Sequence, residues 1–166
     1  KFFIGASWTP MADPIDFRPI NLMKKVNAGA DFIQTQGIYD IEGFRMQMEK
    51  IRNMGLHERT AILGGIIVPK SAMMLKYMDS SVAGVSVPKS LIERMNKAKA
   101  AAGDDKKKAK ELQEAEGIKI TVELIHQVLE TPGVKGVHIQ AIEWETAIEG
   151  IVKAAGLFPR PNIPAE

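Results

Sequence analysis

The chain has no cysteine. That absence excludes a disulfide framework, a thiolate metal site and a thiol nucleophile, and it accords with a reducing, intracellular compartment, so a cytoplasmic protein is expected. There is no excess of charge of either sign: 22 basic and 20 acidic residues leave a formal net charge of +2, which points away from nucleic acid and from membrane surfaces. No apolar run approaches the roughly 20 residues needed to span a bilayer. No signal peptide is expected, because the apolar start is too short and leads directly into Ser7-Trp8-Thr9-Pro10. No initiator methionine is present either, and an opening inside an apolar run is what a chain numbered from within a longer protein would show. His57 and His126, read in a loop and on a helix, are taken to have no partner ligand at metal spacing, so no metal site is expected.

What is present is alternation. The length, 166 residues, suits one domain with a substantial core. Apolar runs predict strands at 2–7, 32–36, 61–68 and 136–142. Helical spacing predicts helices at 18–28, 41–54, 71–78 and 145–155. Pro19 suits a first helical turn, and Leu22, Met23 and Val26 give that helix its apolar stripe. Ile41, Phe44, Met48 and Ile51 have helical spacing, with Asp40 placed as an N-cap and Gly55 as a stop. Between the third and fourth units lies a helical excursion at about 88–131. It is broken at Gly103-Asp104-Asp105, and its second helix is expected to turn Ile118, Val122, Ile125 and Leu129 to one side. Acidic residues followed by Lys106-Lys107-Lys108 read as a solvated helix start.

Strand–helix alternation implies a parallel sheet with right-handed crossovers. Four such units make half of an eightfold barrel of usual size about 250 residues, and a free four-stranded sheet would leave two apolar edges exposed. The expected architecture is therefore α/β: a parallel (β/α)8 TIM-type barrel of which this chain supplies about four βα units. The half barrel would occupy residues 1–156, followed by a Pro-rich tail at 157–166.

Ligands of such sheets bind at the carboxyl ends of the strands. The second strand ends in Gln34-Thr35-Gln36. Two glutamines two apart face one side of a strand, and an uncharged amide suits a ring edge carrying both donors and acceptors. From spacing, one can be a ligand contact and the other a hydrogen-bonder inside a barrel, and Gln34 is read as the structural one of the pair. His138, between Val137 and Ile139, reads as a hydrogen-bonded interior histidine ahead of a catalytic one. Gly64-Gly65 lacks the Gly-Lys-Ser/Thr ending of a phosphate loop; two glycines in a strand interior let a flat ligand or a neighbouring backbone approach closely. Lys24-Lys25 near a helix end complement its dipole without any ligand.

The segment Lys24-Lys25-Val26-x-Ala28-Gly29-Ala30-Asp31-Phe32-Ile33-x-Thr35-Gln36-x-x-x-Asp40 resembles the flavin-dependent methylenetetrahydrofolate reductases. Gly5-Ala6-Ser7-Trp8-Thr9-Pro10, Gly64-Gly65-Ile66-Ile67-Val68-Pro69 and Gly136-Val137-His138-Ile139 look like that family's fifth, seventh and eighth barrel strands, in order. The resemblance implies an oxidoreductase of one-carbon metabolism that uses FAD, or FMN. It would transfer a hydride to or from the one-carbon unit of a reduced pterin, as between methylenetetrahydrofolate and methyltetrahydrofolate. It also implies a nicotinamide or protein electron donor, and an oligomer or an assembly with the other barrel half. Residue by residue, it implies that Gln36 contacts the pterin substrate. Trp8 would lie against the flavin, Asn21, Lys24 and Lys25 would reach the cofactor's ribose and phosphates, and Asp13 would lie near a cofactor contact. No catalytic residue is assigned, because the family's acidic residues lie on the first and fourth strands, which this chain does not contain.

Two departures stand out. Many members place an arginine just after strand eight for the substrate's glutamate tail, whereas this chain has Ala141-Ile142-Glu143-Trp144-Glu145, a poor host for a carboxylate. Gly37 stands where an aromatic residue often follows the Thr-Gln pair. These departures leave a second reading, a non-catalytic half-barrel scaffold or partner-binding subunit. A barrel gripping phosphate with glycine-rich turns is the least favoured reading, since Pro69-Lys70-Ser71 and Ile142-Glu143-Trp144 are not such turns.

Overall fold

The computed structural model describes residues 2–159; residues 160–166 of the expected tail lie outside them. Among the described residues, strands β1 (Gly5–Trp8), β2 (Phe32–Gly37), β3 (Ala61–Ile67) and β4 (Val134–Gln140) form one sheet. All neighbours are parallel and the spatial order is the chain order, β1-β2-β3-β4. Helices α1 (Arg18–Asn27), α2 (Ile41–Asn53), α3 (Ala72–Ser81), α4 (Lys89–Ala100), α5 (Lys106–Leu129) and α6 (Ile148–Ala154) complete it.

Local chemistry sets most boundaries. The Asp40 carboxylate accepts the Gly43 N–H at 3.0 Å and starts α2, and the Asp105 carboxylate accepts the Lys108 N–H at 3.0 Å and starts α5. Gly29 (φ 97°) and Gly55 (φ 68°) take left-handed conformations just past α1 and α2. The strand limits that differ from the sequence expectation by more than one residue are the start of β1 and both ends of β4. β1 begins at Gly5, because pairing starts only where Phe32 stands opposite. β4 runs from 134 to 140 because Gly133 (φ 93°) completes its turn immediately before Val134. The last helix is preceded by a 3-10 turn at Glu145–Ala147.

Burial alternates across the sheet. One face, with Trp8, Ile33, Ile62 and Ile66, is packed against Leu22 and Val26 of α1, Phe44, Met48 and Ile51 of α2, and Ile120, Leu124 and Val128 of α5. α5 thus presents Ile120, Leu124, Ile125 and Val128 as its fully buried stripe, while Ile118, Val122 and Leu129 of the expected stripe are only half-buried. Gly117 explains the rotation: a Cβ there would lie 1.9 Å from the Pro69 carbonyl oxygen, so the helix sits flush on the chain leaving β3. Val128 likewise fills the space a Gly64 side chain would need. These two contacts set α5 antiparallel to β3. The 11 residues before Gly117, about 16 Å of helix, therefore stand beyond the carboxyl end of β3, and α4 packs beside them. The excursion at 88–131 is thus both the crossover to β4 and an arm over the carboxyl rim.

The opposite face carries Ser7, Gln34, Leu63, His138 and Gln140, all partly or fully accessible, and Phe3 stacks on Phe32 with centroids 5.4 Å apart. None of these helices is long and apolar enough to cross a membrane.

Candidate functional site

The polar residues of the accessible face gather at the carboxyl ends of the strands. Ser7, Trp8 and Thr9 from β1 and its exit, Gln34, Thr35 and Gln36 from β2, and His138 and Gln140 from β4 line one cleft of about 270 Å³. β3, which lies between β2 and β4, contributes a glycine at this level: Gly65 is in register with His138 on one side and Gly37 on the other. With no side chain there, the glutamines of β2 face the imidazole and amide of β4 across bare backbone.

The glycine also permits a distortion of β2. The β2–β3 register shifts between Gln34 and Gly37, and the Thr35 and Gln36 carbonyls turn toward β3. A Cβ on Gly65 would lie 2.4 Å from the Thr35 oxygen and 2.8 Å from the Gln36 oxygen. The Thr35 hydroxyl compensates for the broken ladder. It accepts the Gly65 N–H at 2.8 Å and donates to the Gln36 carbonyl at 2.8 Å. The Gln36 Oε1 accepts the Gly37 N–H at 3.1 Å, so the Gln36 amide is oriented by its own backbone and keeps its NH2 for a ligand. The Gln34 side chain makes no hydrogen bond among the described residues, which leaves its amide donor and acceptor both available. Opposite them, Gln140 Nε2 and His138 Nδ1 are 3.3 Å apart.

The lining contains no aspartate, glutamate, lysine or arginine. Amides, hydroxyls and one imidazole offer donors and acceptors without a carboxylate or ammonium, which suits the edge of a neutral, flat heterocycle. Among the described residues no cluster of histidine and carboxylate groups could hold a metal ion.

The residues singled out from sequence are distributed unevenly. Gln36 lines the cleft. Trp8 borders it, but its ring is 1% exposed and part of the core, with its indole N–H donating to the Arg18 carbonyl at 3.1 Å. Asn21, Lys24 and Lys25 lie on α1. The Lys25 ammonium donates to the Ser7 carbonyl on β1, while Lys24 sits 5.2 Å from the centre of the exposed Phe17 ring. Asp13 is exposed in the loop before α1, where its carbonyl accepts from Arg18 Nη2 at 2.7 Å. Sequence reading missed Gln140. The available signal was its spacing, since His138 and Gln140 repeat on β4 the two-residue interval of Gln34 and Gln36 on β2.

The chain is similar to known proteins in sequence and in fold. The chain is 28% identical over 168 residues to Methylenetetrahydrofolate reductase 1 of Schizosaccharomyces pombe, covering 99% of this chain and 26% of that protein. It is 32% identical over 155 residues to Methylenetetrahydrofolate reductase 2 of the same organism, covering 89% of this chain and 22% of that protein. The chain therefore spans about a quarter of the length of these relatives. A solved structure of an uncharacterized protein from Clostridium thermocellum that binds two copies of 5-methyl-5,6,7,8-tetrahydrofolic acid shares the fold. Its TM-score is 0.58 at 16% identity, over 93% of this chain and 52% of that one. The family model for methylenetetrahydrofolate reductase matches residues 8–156. With nine-tenths of its length matched, the chain belongs to the methylenetetrahydrofolate reductase family.

Proposed function

We propose that this chain forms the carboxyl-terminal half of a (β/α)8 barrel that carries out flavin-dependent reduction of a methylenetetrahydrofolate-type substrate. Two observations support the barrel. The strand order runs 1-2-3-4 without the reversal that a doubly wound sheet requires, and the solved neighbour is about twice as long as the matched region. The observation that carries the functional reading is the neutral, amide-rich cleft at the carboxyl ends of β2 and β4 above Gly65.

In this reading Gln36 and Gln34 grip the polar edge of a reduced pterin, with His138 and Gln140 facing them. The residues also fit a flavin nucleotide, FAD or FMN. Lys24 and Lys25 are adjacent point charges for its phosphates, Asn21 lies one turn earlier on the same helix, and Asp13 stands in the loop leading to it. Trp8 contributes by fixing the start of α1 through the Arg18 carbonyl. Bound flavin supplies the two-electron carrier. The chain's own residues bind and orient, and the proton donor and the site of the electron donor, nicotinamide or protein, lie outside it. The proposed setting is a cytoplasmic assembly with the other barrel half.

The test uses the protein at its full natural length. Flavin absorbance near one equivalent is expected, and Gln36→Ala should weaken pterin binding more than flavin binding. A colourless protein that takes up no added flavin would favour the scaffold reading instead. That alternative draws on the acidic Glu143 and Glu145 after β4, where many family members carry an arginine.

A further inference from the structure

The contact between Gln140 and His138 is a polar contact in the cleft to which the proposed chemistry gives no task. His138 has little else beside its ring within this chain. The residue two places before it on β4 is Gly136, and Gly65 stands opposite it on β3, so neither position adds a side chain next to the imidazole. Gln140, two places after it, does reach the ring: its Nε2 lies 3.3 Å from His138 Nδ1.

That contact fixes the tautomer. An amide nitrogen can only donate, so Nδ1 is the acceptor. A neutral imidazole whose Nδ1 accepts carries its proton on Nε2. Nε2 itself makes no hydrogen bond among the described residues. The buried side-chain atoms left without a partner there are Gln47 Oε1, His57 Nδ1 and Thr60 Oγ1. His138 Nε2 is not one of them, so it opens on the cleft that His138 lines. No carboxylate in that lining competes for its N–H.

The β2 wall offers the same polarity. The Gln36 Oε1 is occupied by the Gly37 N–H at 3.1 Å, so the free end of this amide is its NH2. β2 and β4 flank β3 and therefore lie about 10 Å apart, and Gly65 puts no side chain between them. Each wall thus presents a donor, and each donor is oriented by a hydrogen bond at the far end of its own side chain. Two donors converging on one space suit an oxo oxygen, which has two lone pairs. They disfavour an amino group, which would bring a third donor.

We propose that His138, held as its Nε2–H tautomer by Gln140, is a specificity-determining residue that acts with the Gln36 amide above Gly65 to select a ring oxo group in the cleft. The choice of ligand, a fused heterocycle bearing that group, rests on the reading of the cleft as a pterin site; the tautomer does not.

The first measurement is nitrogen NMR of the full-length protein carrying isotope-labelled histidine, with the His138 signals identified by their loss in His138→Gln. At a pH well above the ordinary histidine pKa of about 6.5, Nδ1 should show the shift of an unprotonated ring nitrogen and Nε2 that of a protonated one. Gln140→Glu, whose carboxylate can only accept, should move a proton to Nδ1. A proton on Nδ1 in the unmodified protein, or a pattern that Gln140→Glu leaves unchanged, overturns the proposal.

The second is calorimetric titration with 5-methyl-5,6,7,8-tetrahydrofolic acid, which the solved structural neighbour binds, and with its 4-amino counterpart, in which an amine replaces the ring oxo group. The unmodified protein should prefer the oxo compound by at least about tenfold. His138→Leu should cut that preference about three- to tenfold. His138→Gln, whose NH2 can stand where Nε2–H stood, should keep it within about twofold. A preference unchanged in His138→Leu would mean that the ring only fills space, and overturns the proposal. If neither compound binds the unmodified protein, the pterin reading falls and the choice of ligand with it, while the nitrogen signature still decides the tautomer.

Discussion

The Gly65 N–H donates to the Thr35 hydroxyl at 2.8 Å rather than to a β2 carbonyl, and this one substitution of side chain for backbone lets β2 bulge toward the cleft. Removing the hydroxyl leaves a buried N–H without a partner, since Thr35 is 3% exposed. Thr35→Val should cost about 1–3 kcal/mol, and Thr35→Ser, which keeps the oxygen, clearly less. Urea unfolding of the pair measures this; equal costs would mean that the methyl group, not the hydroxyl, supports the bulge.

Gly65 itself cannot carry a side chain. Its Cβ would meet two backbone oxygens at 2.4 and 2.8 Å, and backbone cannot rotate aside as a flexible side chain can. Gly65→Ala should destabilise by about 1–3 kcal/mol or more. It should also weaken the pterin binding proposed above, because β2 must retreat and carry Gln34 and Gln36 with it. The control is Gly150→Ala on α6, where nothing lies within 4 Å and helix propensity should add roughly 0.5 kcal/mol of stability.

Gly117 sets two effects against each other. In a helix interior alanine is favoured over glycine by about 1 kcal/mol, but here its Cβ would stand 1.9 Å from the Pro69 oxygen. The clash should win, so Gly117→Ala should lower the melting temperature. It should also tilt the arm off the rim, which faster amide exchange across 106–116 would report. A rise in stability would mean that α5 is free to move away from Pro69.

These positions show what was legible in the sequence. Asp40 and Asp105 could be read as caps because a cap joins residues three apart. Strand and helix positions along the chain followed from periodicity, which is equally local. The paired glycines were read as a place where a ligand or a neighbouring backbone comes close. The structure divides the two: Gly65 admits the β2 carbonyls and Gly64 admits Val128 from 64 residues away. The resemblance sets Trp8 against a cofactor; the 1% exposure of its ring depends on α1 folding back over β1, a contact that no local pattern records. Gln140 went unnoticed because its meaning depends on sharing a face with Gln34 and Gln36, two strands away.

Tyr39 links the β2 exit to β3. Its hydroxyl donates to the Ile67 carbonyl at 2.9 Å, and burial pushes its pKa well above the usual value of 10.0. A folded pKa raised above the unfolded one gives a contribution that is complete below pH 10 and lost as pH rises toward the folded value, because only the unfolded chain ionises freely. Stability should therefore fall above pH 10 more steeply than in Tyr39→Phe, which has no proton to lose. At pH 7 the variant should be less stable by about 1–2 kcal/mol, from the lost bond to a buried carbonyl. Parallel alkaline limbs for the two proteins would show that Tyr39 ionises as readily folded as unfolded.

At the acid end, the corresponding group is Glu123 on α5. Both of its oxygens accept from Arg94, at 2.5 and 2.9 Å, and the Arg94 hydrogen bonds are the main cause holding its carboxyl below the usual 4.5. A depressed folded pKa stabilises above the unfolded value, and that contribution disappears as pH falls through the folded one. The pair is half exposed, so water screens it and the gain is under about 1 kcal/mol. Arg94 also holds Glu116 at 2.8 Å, and through the two carboxylates it fastens α4 to α5. Glu123→Gln should therefore be slightly less stable than the natural protein at pH 7, with the gap closing below pH 4.5 and shrinking in high salt at any pH. A gap unchanged from pH 7 to pH 3 would assign the effect to packing of the side chain and not to its charge.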